Sequence, residues 1–114
     1  MADDKFELYV GKSSKLENTV LNIEGQAKID GLVSGELRTK ILHIGEGGKV
    51  VGKVDAEHIV VDGTLESAEN EITSSIKISV NATGRISGNI SYNSLECQEG
   101  AVIQGNLSIL KSKS

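Results

Sequence analysis

Branched aliphatic residues return along this chain in threes. Val10, Leu16 and Val20 stand six and four residues apart, and the same offsets separate Ile44, Val50 and Val54, then Val80, Ile86 and Ile90, then Cys97, Ile103 and Leu107. A tighter form occurs as Ile29, Val33 and Leu37 and again as Val61 and Leu65 followed by Ser67. Six copies therefore cover residues 8 to 109, and the third position (Val20, Leu37, Val54, Ile72, Ile90, Leu107) recurs in steps of 17, 17, 18, 18 and 17. Only the fourth copy departs, where a polar stretch from Glu66 to Asn70 comes in ahead of Ile72. Within each copy apolar and polar residues alternate, as in Ile76, Ile78 and Val80, between Gly, Asn, Asp and Ser. Alternation of period two over three to five residues reads as short strands.

Three short strands per copy, joined by tight turns, predict one coil of a parallel β-solenoid. A single coil cannot bury its own apolar face, so about six coils must stack with like residues above one another. Glycine at 35, 52, 88 and 105, with Asn18 and Ser67 in the same slot, marks a corner or a tight inward position that selects small residues. The expected layout is one all-β domain over residues 8–110, with tails at 1–7 and 111–114.

Composition narrows the function. The core must be almost wholly aliphatic, since 12 Ile, 10 Val and 10 Leu face only Phe6, Tyr9 and Tyr92 as aromatics. The lone Cys97 excludes an intrachain disulfide and a CxxC site, and it falls at a core position equivalent to Ile44 and Val80, where a buried small hydrophobe is expected. No apolar run approaches the ~20 residues of a membrane span and no signal-peptide layout is visible, which predicts a cytoplasmic protein. Twelve basic against sixteen acidic residues, net −4, argue against nucleic acid as a partner.

A search for chemistry assigns no catalytic, cofactor or metal site. His43 and His58 fall in different coils with no second ligand or base suggested, so both read as surface residues. Asp30 and Asp62 precede Gly31 and Gly63 in equivalent places, which an Asx-type bond and a positive φ at the glycine explain. The loop from Gly45 to Lys49 lacks the spacing and following helix of a phosphate cradle. Glu36 and Lys53 share a slot in adjacent coils and form an opposite-charge pair. The enzyme alternative is a trimeric acyltransferase of the left-handed β-helix type; its six-residue period fits 44 to 50 but breaks at Ala56 and Asp62.

The ends carry the functional expectation. A solenoid leaves unpaired backbone groups and an aliphatic layer at each end, and neither tail is long enough for a capping helix. The first layer exposes Leu8, Val10, Leu16 and Val20, and the last exposes Cys97, Ile103, Leu107 and Ile109. The economical partner for both is another copy of the chain, and repetition of that contact makes a filament. Phe6, Leu8 and Tyr9 form a candidate membrane contact.

The succession of wide and tight copies resembles the bactofilins, a bacterial polymer-forming cytoskeletal family. The resemblance lies in Ile29-Asp-Gly-x-Val-x-Gly-x-Leu37, the Gly-x-Val-Val-Gly-x-Val run ending at Val54, Gly84-Arg-Ile-Ser-Gly-Asn-Ile90 and Gly100-Ala-Val-Ile-Gln-Gly105. It implies a right-handed β-helix with a triangular aliphatic core. It also implies nucleotide-independent, non-polar filaments joined first coil to first coil and last to last. Such filaments scaffold envelope or morphogenetic proteins at the inner face of the cell membrane. Ile103 stands where the family often has phenylalanine, and the segment from Met1 to Phe6 is acidic where the family's tail tends to be hydrophobic or basic.

Overall fold

The computed structural model describes residues 8–109, with the side chains of residues 68 and 69 left aside. Nine strands make one sheet in which every pairing is parallel: β1 (Leu8–Val10), β2 (Lys15–Asn22), β3 (Gln26–Ile29), β4 (Leu32–Ile44), β5 (Lys49–Val61), β6 (Thr64–Val80), β7 (Arg85–Tyr92), β8 (Leu95–Cys97) and β9 (Val102–Ile109). The sheet winds on itself as a solenoid of six coils. Strands β4, β5 and β6 run through corners without interruption, so the chain has fewer and longer strands than alternation alone predicts.

The reason lies in the glycines. Gly35, Gly52, Gly88 and Gly105 all hold φ between +115° and +130°, which turns the chain in a single residue and keeps the ladder paired through the bend, Gly35 on Gly52 and Gly88 on Gly105. A Cβ on Gly52 would overlap the backbone carbonyl of Gly35 below it. Both the backbone sign and the space therefore demand glycine.

Register stacks the apolar positions in columns. One face carries Leu8, Ala27, Leu42, Ile59, Ile78 and Leu95, beside Val10, Ile29, Ile44, Val61, Val80 and Cys97. The second face carries Leu16, Val33, Val50, Leu65, Ile86 and Ile103, and the third Leu21, Leu37, Val54, Ile72, Ile90 and Leu107. The middle layers are sealed; Ile44, Val61, Leu65 and Ile72 have no solvent exposure. Where the third face turns into the first, Thr39 and Ser74 are buried. Their hydroxyls are satisfied by corner carbonyls, Thr39 Oγ1 donating to Gly25 O at 2.8 Å and Ser74 Oγ lying 2.9 Å from Glu57 O. Among the described residues no buried side-chain polar atom lacks a partner, as an apolar interior requires.

The first coil departs from the sequence period. Leu21 pairs with Leu37, and Val20 pairs with Glu36. The ladder slips between Leu16 and Thr19, and Asn18 takes φ 51°. One extra residue sits in this corner, so Thr19 and not Asn18 lies beneath Gly35, and Val20 is turned to the outer face, 71% exposed. In the fourth coil the ladder between β6 and β7 jumps from Glu66 to Glu71, where the polar insertion falls.

Two substitutions probe this design. Gly52→Ala should cost about 2–4 kcal/mol through the disallowed φ and the overlap with Gly35. Leu65→Ala should cost about 2–5 kcal/mol through the cavity it leaves. Urea unfolding midpoints at constant m-value check both.

Candidate functional site: the two open ends

Among the described residues all sheet edges lie at the two ends of the solenoid. β1 and β2 are paired on one side only, by β3 and β4, and β8 and β9 on one side only, by β6 and β7. Among the described residues, each end presents a three-residue and an eight-residue strand with an outer row of backbone N–H and C=O groups that no described strand pairs. These groups are an obligatory hydrogen-bonding surface, open to any extended backbone that can lie along them.

The side chains at the two ends differ. At the first layer Leu8 and Leu16 are half-buried, and Val10 is only 3% exposed, so it belongs to the core already. Leu21 and Ile23, which sequence reasoning did not place here, complete that layer as half-buried residues packed on the core. Their signal was present, because Leu21 and Ile23 give an apolar alternation that Val20 and Asn22 do not. At the last layer Ile103 is half-buried, Leu107 is 44% exposed and Ile109 67% exposed. Cys97 stacks on Val80 as its position in the repeat suggests, yet it is exposed and not buried, because it lies in the last described layer. Phe6 lies outside the described residues. Tyr9 points outward beside inward Leu8, and its hydroxyl donates to Asp30 Oδ2 at 2.8 Å. That bond, the Asp30 charge and slight burial raise the phenol above its ordinary pKa.

The same contact opens a run of polar links that climb the outer corner next to the first face. His43 Nε2 lies 3.0 Å from Asp62 Oδ2, and Asn81 Nδ2 donates to Asp62 Oδ1 at 2.6 Å, so one carboxylate ties the third, fourth and fifth coils. Sequence spacing alone put no partner near His43; the register does, by setting Asp62 one coil above it. The expected Asx turns are not formed. Gly31 and Gly63 have no positive φ, and each is glycine because a Cβ would strike the carbonyls of the turn below: Gly11 and Ser14 for the first, Gly45 and Gly48 for the second. Burial pushes the Asp62 carboxyl up, but the bonds from His43 and Asn81 and the charges of His43 and Lys28 outweigh it and hold the group below its ordinary value.

Opposite charges meet across neighbouring coils elsewhere on the outer faces. Lys53 Nζ is 3.8 Å from Glu36, Arg38 Nε 3.9 Å from Asp55, and Lys77 Nζ 2.8 Å from Glu96, whose carboxyl its bond and charge hold below the usual range. Exposed pairs of this kind add little stability and serve mainly to keep like charges apart on the ladder. Among the described residues no group of three or more His, Cys, Asp or Glu is placed to hold a metal ion, and no helix is long and apolar enough to cross a membrane.

A parallel solenoid closed along its sides and open at both ends defines a protein of the stacking class, whose free surfaces are continuations of its own interior. The chain belongs to the bactofilins, described as polymer-forming cytoskeletal proteins, whose family model matches residues 8–108. Among solved structures it is similar to the Thermus thermophilus bactofilin, reconstructed by cryo-EM as double helical filaments. The two share 27% identity over 90% of this chain and 99% of that one, with a TM-score of 0.77. No curated protein matches the chain. The family does not favour the acyltransferase alternative.

The Asp62 clamp makes a pH prediction. A carboxyl whose folded pKa is depressed adds stability above its unfolded value near pH 3.9, and that stability is lost as pH falls through the lower folded value. Asp62→Asn should therefore be less stable than the parent at pH 7 by up to about 1 kcal/mol, solvent screening included. The difference should close below about pH 4. Thermal melts of both chains between pH 2.5 and pH 7 check it.

Proposed function

We propose that this chain assembles end to end into non-polar filaments without nucleotide, and that its role is structural, a scaffold on which cell-shape or envelope proteins are organised. One observation carries the reading: among the described residues both ends of the solenoid stop at strands paired on one side only, laid over an aliphatic layer that is half-buried at the first end and exposed at the last, while the sides are closed. The Thermus bactofilin filaments, built from a closely similar coil stack, support it. The polymer-forming contacts are Leu8, Leu16, Leu21 and Ile23 at the first layer, and Cys97, Ile103, Leu107 and Ile109 at the last. Val10 supports its layer from beneath, and Val20, turned outward, lies beside it. Contacts between identical ends are isologous and give a filament without direction.

The proposed location is the cytoplasm, at the inner face of the membrane. Leu8 faces the core, and exposed Tyr9, whose hydroxyl is bonded to Asp30, is the described side chain of the proposed membrane contact.

Purified chain, with neither nucleotide nor metal added, should form uniform thin filaments a few nanometres wide in negative stain. Ile109→Arg changes a surface residue of the single chain, so it should stay within about 0.5 kcal/mol of the parent in stability while losing filaments. Discrete monomers or compact trimers of the parent chain would overturn the scaffold reading.

A further inference from the structure

A cavity of about 270 Å³ opens on the outer side of the second face, away from the end-layer contacts. Alternation builds it. Leu65 and Ile86 are buried in the core, so the residues flanking them, Thr64 and Glu66 in β6 and Arg85 and Ser87 in β7, face outward. Register sets Arg85 on Thr64 and Ser87 on Glu66, with Lys49 one coil before Thr64 and Gln104 one coil after Ser87. All six line the cavity. Hydrogen-bond donors dominate it: a guanidinium, an ammonium, an amide and two hydroxyls against one carboxylate. That carboxylate, Glu66, lies 4.0 Å from Lys49 Nζ and is already engaged. Arg85 is left uncompensated. Among the described residues it makes no ion pair, whereas Arg38, Lys53 and Lys77 each lie beside an acid. Its position is not a by-product of the repeat. The same column carries Lys15, Leu32 and Lys49 over the first three coils, then Lys49, Thr64 and Arg85. Both runs hold cations two strand spacings apart, about 9.5 Å. Only the second sets a hydroxyl between them.

We propose that this cavity binds a phosphate group, free or as a monoester. An arginine fork matches two phosphate oxygens at once, and a charge-assisted pair of that kind is stronger than neutral hydrogen bonds. A carboxylate offers only two oxygens in one plane. Here Thr64, Arg85, Ser87 and Gln104 bring donors from three successive coils, which suits a tetrahedral anion with oxygens on several sides. The volume falls below the roughly 300–1,000 Å³ of sites that enclose drug-sized ligands, so the group is taken singly. Apart from Val102 the outward lining is polar, which gives a nucleotide base no apolar slot. None of these donors is among the end-layer contacts, so the site stands independently of the end-to-end reading.

Inorganic phosphate is the probe, titrated into the full-length chain at pH 7 and low salt, where screening is least, and followed by broadening of its phosphorus NMR signal. The expected result is saturable binding that Arg85→Gln weakens about tenfold or more, as loss of a charge-assisted bidentate contact requires. Lys53→Gln, which removes a cation from the third face, should leave it unchanged. Acetate, followed by saturation transfer to its methyl group, should bind about tenfold more weakly than phosphate. Flotation with phosphatidic acid vesicles separates the sources: Arg85-dependent flotation assigns the group to a lipid headgroup, and phosphate binding without flotation assigns it to a soluble ligand. Far-UV circular dichroism confirms that each variant is folded, and Thr64→Val replaces Arg85→Gln if that chain is not. Absence of saturable phosphate binding overturns the proposal, as does a loss in Lys53→Gln equal to that in Arg85→Gln, or acetate bound as tightly as phosphate.

Discussion

The fold depends on vertical stacking of branched aliphatic residues in parallel register. No coil has an interior of its own; Ile44 is sealed from solvent because Ile29 lies below it and Val61 above it. Every coil is thus solvent for its neighbours, and the stabilisation of each depends on the presence of the next. Hydrogen bonding repeats the rule, since each inner strand satisfies its backbone groups on the coils above and below. The interaction that makes the molecule fold is the same from one coil to the next and carries no stop signal of its own.

That continuity explains why folding and assembly use the same chemistry here. A second copy docked on an end of the solenoid, as proposed above, would add a layer of the kind the core already contains, an aliphatic contact with a hydrogen-bonded edge. The outer faces obey different rules. Their ion pairs and the Tyr9–Asp30 and His43–Asp62–Asn81 links tie adjacent coils in ways that depend on particular partners. They hold the register that the aliphatic columns, being much alike from coil to coil, specify less sharply.

Much of this was legible in the sequence because the period is carried by side chains of one type. The columns through Val10, through Leu16 and from Leu37 to Leu107 follow directly from the offsets of the repeat, as does the corner glycine. The first coil was misread by one residue because Leu16 and Val20 keep the common four-residue spacing, and only the backbone of Asn18 reveals that the chain bulges between them. The Asp62 clamp escaped for another reason. Its three members come from three coils and meet only through register, so no local spacing encodes them. Gly31 and Gly63 were recognised as necessary on the wrong ground: they answer to the carbonyls of a neighbouring turn and not to their own φ.

Those two glycines have a wider meaning. At this corner, wide turns closed by Ser14 N to Gly11 O and by Gly48 N to Gly45 O alternate with the tight turns at Gly31 and Gly63, which nest in them. First and second coils, then third and fourth, are locked in this way. The fifth and sixth are not, because the turns closed by Gly84 N to Asn81 O and by Ala101 N to Gln98 O are both wide. Backbone bonds at this corner join every coil to the next, Gly45 N to Ile29 O, Asn81 N to Val61 O and Gln98 N to Val80 O among them, so the nesting adds to a continuous ladder a steric lock that only alternate junctions carry, and the stack is not uniform along its axis.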